Sequence, residues 1–409
     1  MKVFFLPKFL LYFTFLLLPF TFIKLFLNFS LSDLFILMAF LFVFCMIMIK
    51  KIKIEFITRN IFLYPIILFS SGFFLSLSNS TYPIESVTAY MQIVFIFIIC
   101  HPIISLYFKF NYTLKPIIVL FLVSSMLVTF TLITFFFLKI DVSLGLFLIE
   151  EGWRGRFSYG GMEPNVPARI VLQTIPFFAI FIIISKKKIF KTISFFFLVL
   201  SVIAVVTTAS RSGLLTTLLG FILFVVFVKR MSPNFKIPRL LISITIFLYI
   251  FFLVSSKLNT KTPLFDRATA RYSTILSPSK SFSSRERIQL IDYGIEYLYS
   301  NPFVGLGLSN SYLYTGRSIH NPILLSWVEN GIFGFFGFAS IYLILILIGV
   351  KCWQNKFFND YYLLSFTIIM LMMIFGDMFM ANTYKRILWL PTLIFVSYFE
   401  HISKKNLVV

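Results

Sequence analysis

The stretch IFGFFGFASIYLILILIGV, from Ile332 to Val350, contains no charged side chain. The stretch FFFLVLSVIAVVT, from Phe195 to Thr207, has the same character. A helix on the surface of a soluble domain keeps a polar face toward water, and neither stretch supplies one. A helix of about 20 apolar residues crosses the hydrocarbon core of a bilayer and satisfies its own backbone groups there. These stretches therefore predict an all-α, polytopic membrane protein.

The composition of the whole chain agrees with this fold class. Of 409 residues, 59% are apolar and only 12% are charged, whereas soluble domains carry about 25% charged residues. In a soluble protein the net charge of +21 would indicate a nucleic-acid partner. Here the basic residues stand in short clusters between apolar runs, so we interpret them as topology signals and expect no nucleic acid. The three cysteines show neither disulfide nor metal spacing, and we expect no metal or cofactor.

The apolar runs predict about twelve transmembrane helices, with ten or eleven as the alternative count. Residues 1–256 would carry helices 1–9, residues 257–320 a large periplasmic loop with an amphipathic helix, and residues 321–409 helices 10–12. The predicted spans are 9–27, 31–49, 61–78, 84–108, 116–138, 168–185, 189–208, 212–228, 239–256, 321–350, 361–380 and 386–402.

The basic residues also predict the orientation of the chain. One set of alternate loops collects seventeen lysines and three arginines, and the positive-inside rule makes that side the cytoplasm. Both termini are then expected in the cytoplasm, and we expect a multi-pass protein of the bacterial inner (plasma) membrane. The other side collects ten arginines and only five lysines.

This excess of arginine on the outer side needs a cause other than topology. A guanidinium group keeps its charge and binds phosphate through two parallel hydrogen bonds. Phosphate recognition is one explanation for the arginines. Simple pairing with outer acids such as Glu150 and Glu286 is the alternative, and both explanations can hold in part.

The first polar segment on the outer side covers residues 139–168. Its glycines and prolines predict a loop, and Asn165 is placed to cap the helix that follows. Arg154 and Arg156 lie within this segment, and Arg169 lies just inside the next span.

The second outer segment is a tight turn that puts Arg211 at the N-terminus of a membrane helix. Contact between Arg211 and lipid headgroups is one reading of this position. The other is an anion site formed by Arg211 and the helix amide groups.

The third outer segment is the loop 257–320. Ser283 and Glu286 have the spacing of a capping box, so a helix should begin there, with Arg285 and Arg287 in its first turn. An apolar stripe that begins at Ile288 predicts that this helix lies on the membrane surface. The helix should end near Asn301 and Pro302, and the glycines at 305 and 307 then predict a flexible turn.

His320 is the one histidine that this topology places on the outer side. Asn321 is a good N-cap and Pro322 suits the first helical position. The positive end of the helix favours a neutral imidazole that accepts a proton, although a lone histidine is more often structural. Glu329 follows nine residues later, about 13 Å along the helix axis, and a carboxylate there should face a cavity or a partner. Gly331, with Gly334 and Gly337, predicts close helix packing.

Four features, taken in order, resemble the O-antigen polymerase/ligase superfamily of membrane glycosyltransferases. They are Arg211 within TASRSG, Arg287 fifteen residues before Pro302, the pair His320-Asn321 followed by Glu329 and Gly331, and the large outer loop before the tenth helix. The resemblance implies a GT-C-like, metal-independent, inverting transferase whose donor is a glycan on undecaprenyl diphosphate. It also implies that Arg211 and Arg287 bind the diphosphate and that His320 activates the acceptor. Weaker diphosphate assignments fall on Arg154, Arg156, Arg169 and Arg285, and a weaker catalytic one on Glu329.

The expected reaction is polymerisation of O-antigen or a related surface polysaccharide on the periplasmic face. The alternatives are an O-antigen ligase that transfers the glycan to lipid A core and a secondary transporter or lipid-glycan flippase. A flippase would need charges reachable from both sides, whereas the charges here concentrate outside. The expected partners are the undecaprenyl-diphosphate-linked glycan, an acceptor glycan or glycolipid, membrane lipids and a chain-length regulator.

Overall fold

The computed structural model of the chain describes residues 5–20, 24–26, 29–49, 52, 60–138, 142–144, 147–152, 156–159, 165–231, 282–354, 360–379 and 386–406. Its helices are α1 (Phe5–Leu17), α2 (Leu31–Met48), α3 (Leu63–Leu77), α4 (Pro83–Lys109), α5 (Lys115–Leu138), α6 (Asn165–Ile184), α7 (Lys188–Thr207), α8 (Arg211–Met231), α9 (Phe282–Ser300), α10 (Asn310–Thr315), α11 (Pro322–Gln354), α12 (Tyr361–Asp377) and α13 (Arg386–Asn406).

Among the described residues, seven helices are long and apolar enough to cross a membrane, and three shorter apolar helices accompany them. Eleven of the twelve predicted spans overlap a helix, although the first, 9–27, runs past the end of α1 into a short strand at Lys24–Phe26. The ninth, 239–256, lies outside the described residues. The prediction of an all-α polytopic membrane protein is therefore confirmed. The orientation of the chain and its division at residues 256 and 320 stay predictions.

Short strands occur in two of the connections between helices. The first connection contains an antiparallel pair, β1 (Lys24–Phe26) and β2 (Phe29–Ser30). The second contains an antiparallel sheet of β3 (Val142–Leu144), β4 (Phe147–Gly152) and β5 (Arg156–Tyr159). The sequence predicted a loop for the second connection. That prediction gave weight to the glycines and prolines and overlooked the β-favouring aromatic and branched residues between them.

Helices α3 and α11 pack closely because glycines line their contact. A Cβ atom on Gly72 would lie 2.5 Å from the Asn330 carbonyl oxygen, and one on Gly337 would lie 2.6 Å from the Phe69 nitrogen. Any larger side chain at these positions would force the helices apart, as at other small-residue interfaces in membranes. The predicted packing role therefore holds for Gly337 and for Gly334, whose nitrogen would lie 2.6 Å from a Cβ atom on Gly72.

Helix α11 is interrupted at Gly331, where the sequence predicted one continuous span. Gly331 has φ 64° and ψ −164°, a conformation that is essentially restricted to glycine. The break divides α11 into a short half, residues 322–330, and a longer half that continues to Gln354. We call the short half the outer half, after the side of the membrane that the sequence predicts for it. Gly331 therefore has a backbone role in addition to the predicted packing role.

The segment 303–307 binds to the backbone groups that the break exposes. The Leu306 N–H donates to the Val328 carbonyl at 3.0 Å, and the Gly307 N–H donates to the Glu329 carbonyl at 2.9 Å. The Ile332 N–H donates to the Phe303 carbonyl at 3.3 Å. We call residues 303–307 the strap. The sequence predicted a flexible turn here, but the strap is hydrogen-bonded along its length because the break offers it unpaired backbone partners.

Candidate functional site

Arg211 is the first residue of α8, as the sequence predicted. The preceding Ser210 caps the helix, since its Oγ atom accepts from the Gly213 N–H at 3.1 Å. The same hydroxyl donates to the Asn165 Oδ1 atom at 2.8 Å, which fastens the turn to the first residue of α6. Arg211 is thus held at a rigid helix N-terminus, where free amide groups favour an anion.

Arg287 lies on the face of α9 that packs against the start of α11. Leu290, one helical turn further along that face, is buried in a cluster with Ile319 and Val328. A Cβ atom on Gly294, one more turn along, would lie 3.0 Å from Ile319. Arg287 is half-buried and its Nε atom is shielded from solvent. The packing of α9 therefore directs Arg287 toward the segment that carries His320.

The neighbours of Arg287 on α9 behave differently. Arg285 is exposed. Glu286 forms an ion pair with Arg317. The helix begins at Phe282, within one residue of the predicted start at Ser283, and the capping box itself stays a prediction. The predicted stop before Asn301 is confirmed, since α9 ends at Ser300. The ion pair shows that acid pairing explains one of the outer arginines.

His320 directly precedes the N-cap of α11. The Asn321 Oδ1 atom accepts from the N–H groups of Ile323 at 3.0 Å and Leu324 at 3.1 Å, so the predicted N-cap is confirmed. His320 is half-buried with a shielded Nδ1 atom, and its neighbour Ile319 is fully buried. The imidazole is therefore fixed at the positive end of the outer half of α11.

The structure brings Arg211 and Arg287 together from positions far apart in the chain. Arg211 is partly desolvated, and Arg287 lies within electrostatic range of it. Two cations near each other in a partly desolvated place favour the binding of an anion. The contact of Leu290 with Ile319 puts His320 at the same end of the helix bundle. We call Arg211, Arg287 and His320 the cationic cluster, after its two guanidinium groups.

Arg169 is held in a buried network beside this cluster. Its Nη1 atom donates to the Asp377 Oδ1 atom at 2.6 Å, and its Nη2 atom donates to the Gly376 carbonyl. The hydroxyl of Tyr342 donates to the Asp377 Oδ2 atom at 2.6 Å. The sequence also allows an ion pair between Asp377 and Arg386, whose side chain is not among those described, so that pairing stays a prediction. The described partners of Asp377 come from α6 and from the long half of α11.

Comparison with protein families supports this grouping of residues. Residues 196–339 match the family model described as O-antigen ligase. This match supports the O-antigen polymerase/ligase superfamily as the family that the chain resembles. The match covers about a third of the chain and includes the whole cationic cluster and Glu329, but not Arg169. Members of this superfamily are glycosyltransferase-like enzymes, and the match does not distinguish polymerase from ligase. A comparison with curated proteins found no match.

Glu329 lies in this O-antigen ligase region at the end of the outer half of α11. Its side chain is buried, and its Oε1 atom accepts from the Ser311 hydroxyl at 2.5 Å. Its carbonyl oxygen accepts from Gly307 of the strap. Glu329 therefore connects α10 and the strap to the outer half of α11, which begins beside His320. The expectation that this carboxylate would have a partner is confirmed, while its catalytic role stays a prediction.

Asn310 is a structural residue of the ligase region that sequence reasoning missed. Its Nδ2 atom donates to the hydroxyls of Ser80 at 2.9 Å and Ser86 at 2.7 Å, and its Oδ1 atom accepts from the Tyr82 N–H at 3.0 Å. These hydrogen bonds connect α10 to the segment between α3 and α4 and to the first turn of α4. The sequence carries no signal for them, because the partners are 224 to 230 residues away.

The two remaining arginines precede the matched ligase region. Arg154 lies outside the described residues, and Arg156 begins β5, opposite Gly152 in the sheet. Within the described residues, no three His, Cys, Asp or Glu side chains gather as a metal site would require.

Proposed function

We propose that this protein polymerises O-antigen or a related surface polysaccharide from undecaprenyl-diphosphate-linked repeat units on the periplasmic face of the inner membrane. The observation that carries the proposal is the position of Arg211 at the capped N-terminus of α8, with Arg287 of α9 within electrostatic range of it. A diphosphate supplies the negative charge that would relieve their repulsion and accepts the bidentate hydrogen bonds that guanidinium groups offer. The family match supports a reaction of this general kind.

In the proposed reaction, an acceptor sugar hydroxyl attacks the anomeric carbon of the donor from the face opposite the diphosphate. His320 takes the hydroxyl proton as general base. A glycosidic bond forms, the bond between the anomeric carbon and the diphosphate oxygen breaks, and the configuration inverts. Arg211 and Arg287 stabilise the charge that develops on the leaving undecaprenyl diphosphate. Fixed cations of this kind supply the stabilisation without a metal ion.

The other proposed site residues either extend the donor-binding surface or hold the site in place. Arg285, exposed in the first turn of α9, would extend the basic surface along the donor, as would Arg154 and Arg156. Glu329 would act by holding the outer half of α11, because its described bonds run to Ser311 and the strap.

The decisive experiment is a transfer assay with purified protein, undecaprenyl-diphosphate-linked glycan and a metal chelator. The proposal expects products of several repeat units. His320→Ala should reduce the rate by about 10²- to 10⁴-fold, the usual contribution of general base catalysis. His401→Ala is the matched control, because His401 lies near the C-terminal end of α13, beside Phe108. This substitution should leave the rate unchanged.

O-antigen ligation is the second candidate, because the matched family model carries that description. Lipid A core added to the same assay separates the two reactions. Glycan transferred to lipid A core without growth of the lipid-linked chain would establish a ligase and reject the polymerase. Movement of the intact lipid-linked glycan across a vesicle membrane, with no new glycosidic bond, would reject both and indicate a flippase.

A further inference from the structure

The last turn of α12 is joined to two other helices through one carboxylate. Asp377 accepts from Arg169 of α6 through Oδ1 and from Tyr342 of α11 through Oδ2, both at 2.6 Å. Each of the three residues is only 4% exposed. We call Arg169, Tyr342 and Asp377 the clamp. Because both carboxylate oxygens are used, Asp377 has a fixed orientation, and α12 cannot shift relative to α6 or α11 without breaking a buried bond.

Arg169 also completes the C-terminus of α12. Its Nη2 atom donates to the carbonyl of Gly376, one of the carbonyl groups that a helix leaves unpaired at its end. A cation at this position interacts favourably with the negative end of the helix dipole. Both terminal nitrogens of Arg169 therefore donate to residues of α12. This arrangement suits a positioning role better than diphosphate binding, the role proposed for Arg211.

The end of α12 that carries the clamp contacts the elements that hold two parts of the cationic cluster, Arg211 and His320. A Cβ atom on Gly376 would lie 3.4 Å from the Thr216 hydroxyl of α8, and Thr216 is five residues after Arg211. The Asn321 Nδ2 atom donates to the Met378 sulfur at 3.8 Å. Asn321 is the N-cap of α11 and directly follows His320, so this end of α12 contacts both the helix that begins at Arg211 and the segment that carries His320.

We infer that the clamp positions the catalytic base relative to the diphosphate-binding arginines, and that Asp377 is the central positioning residue. The inference rests on the proposed function. A displacement of about 1 Å between reacting groups reduces rates by about 100-fold. Loss of the clamp should therefore lower kcat strongly and leave donor affinity nearly unchanged, because Arg211 and Arg287 themselves remain.

Helix α12 supplies a matched pair of variants that tests this inference. Tyr342→Phe removes the hydrogen bond to Asp377 at the outer end. Tyr398→Phe removes a similar bond, from the Tyr398 hydroxyl to the Asp360 Oδ2 atom at 2.7 Å, at the opposite end of the same helix. Asp360 is the N-cap of α12, as Asp377 is its last residue. These substitutions avoid an isolated buried charge, which Asp377→Ala would leave on Arg169.

The measurements are kcat and KM for undecaprenyl-diphosphate-linked glycan, together with the unfolding temperature in detergent. Tyr342→Phe should lower kcat by about tenfold or more with an unchanged KM, because its effect is one of alignment. Tyr398→Phe should lower the unfolding temperature to a similar extent and leave kcat unchanged. Equal kcat values for the two variants would overturn the inference.

A distance measurement tests the clamp independently of catalysis. Nitroxide labels on Leu218→Cys of α8 and Ser318→Cys, two residues before His320, report the separation of the two parts of the cluster. Cys45, the exposed native cysteine, is first replaced by alanine. Tyr342→Phe should broaden or shift the distance distribution, and Tyr398→Phe should not. Identical distributions would reject the clamp, whereas wild-type protein that transfers no glycan would reject the proposed function alone.

Discussion

Arg211 and Arg230 occupy opposite ends of helix α8, and the same side chain has a different environment at each end. Arg230 lies over the Trp353 ring, 4.3 Å from its centroid, whereas Arg211 lies beside Arg287. Arg211→Lys keeps the charge and removes the planar fork. A charge-assisted hydrogen bond contributes about 1.5–3 kcal/mol, so we expect the transfer rate to fall about 10- to 150-fold in an assay with purified protein.

Arg230→Lys is the control for this substitution, because it makes the same chemical change in the same helix at the end away from the cationic cluster. Its transfer rate should match that of the wild type, even if the loss of stacking on Trp353 slightly lowers stability. A full transfer rate in Arg211→Lys would contradict bidentate phosphate binding by Arg211.

Single residues differ in how far the sequence alone predicts them. The N-cap at Asn321 was predictable because its hydrogen bonds reach only two and three residues along the chain. The pairing of Arg169 with Asp377 was not, since 208 residues separate them. Arg386 is much nearer to Asp377 in the sequence than Arg169 is. Sequence proximity alone would therefore favour Arg386 as the partner of Asp377.

At the scale of elements, the break in α11 makes a prediction about glycine. A Cβ atom on Gly331 would collide with the Phe303 carbonyl oxygen of the strap. The positive φ of Gly331 adds a conformational cost of about 1–3 kcal/mol for any other residue. We therefore expect Gly331→Ala to lower the unfolding temperature by several degrees or to prevent accumulation of folded protein, as measured in detergent.

Gly316→Ala provides the comparison. Gly316 also has a positive φ, 71°, but a Cβ atom there would meet nothing within 4 Å. Gly316→Ala therefore tests the conformational cost of a positive φ without a steric collision, and we expect a small loss of stability. If the two substitutions lowered the unfolding temperature equally, the contact between strap and helix would contribute nothing.

Elements were predictable from the sequence where local signals determine them. Apolar length located the helices, and the proline after Asn301 correctly ended α9. Hydropathy gave no sign of the break in α11, because the stretch from Ile332 to Val350 is uniformly apolar. The break depends on hydrogen bonds with the strap, about 25 residues earlier in the chain, and such a partner is visible only in the folded chain.

At the scale of the whole molecule, the charge distribution predicts which end of the bundle faces the periplasm. Tyr299, 87% exposed, should lie outside, and the exposed Lys187 should lie inside by the positive-inside rule. In a Cys45→Ala background, a membrane-impermeant maleimide should label Tyr299→Cys in intact spheroplasts. Lys187→Cys should be labelled only after permeabilisation, and the reverse pattern would reject the proposed location of the site.

The interruption of α11 also changes the depth at which its acidic residue lies. A continuous helix of 33 residues would be about 50 Å long, well beyond the ~30 Å hydrocarbon layer. The part after Gly331 is long enough to cross that layer alone, at about 34 Å. The preceding turns can then rest at headgroup level, where water is near. In that arrangement the carboxylate of Glu329 would avoid the cost of immersion in lipid, and the crossing part of α11 would carry no charged residue before Lys351.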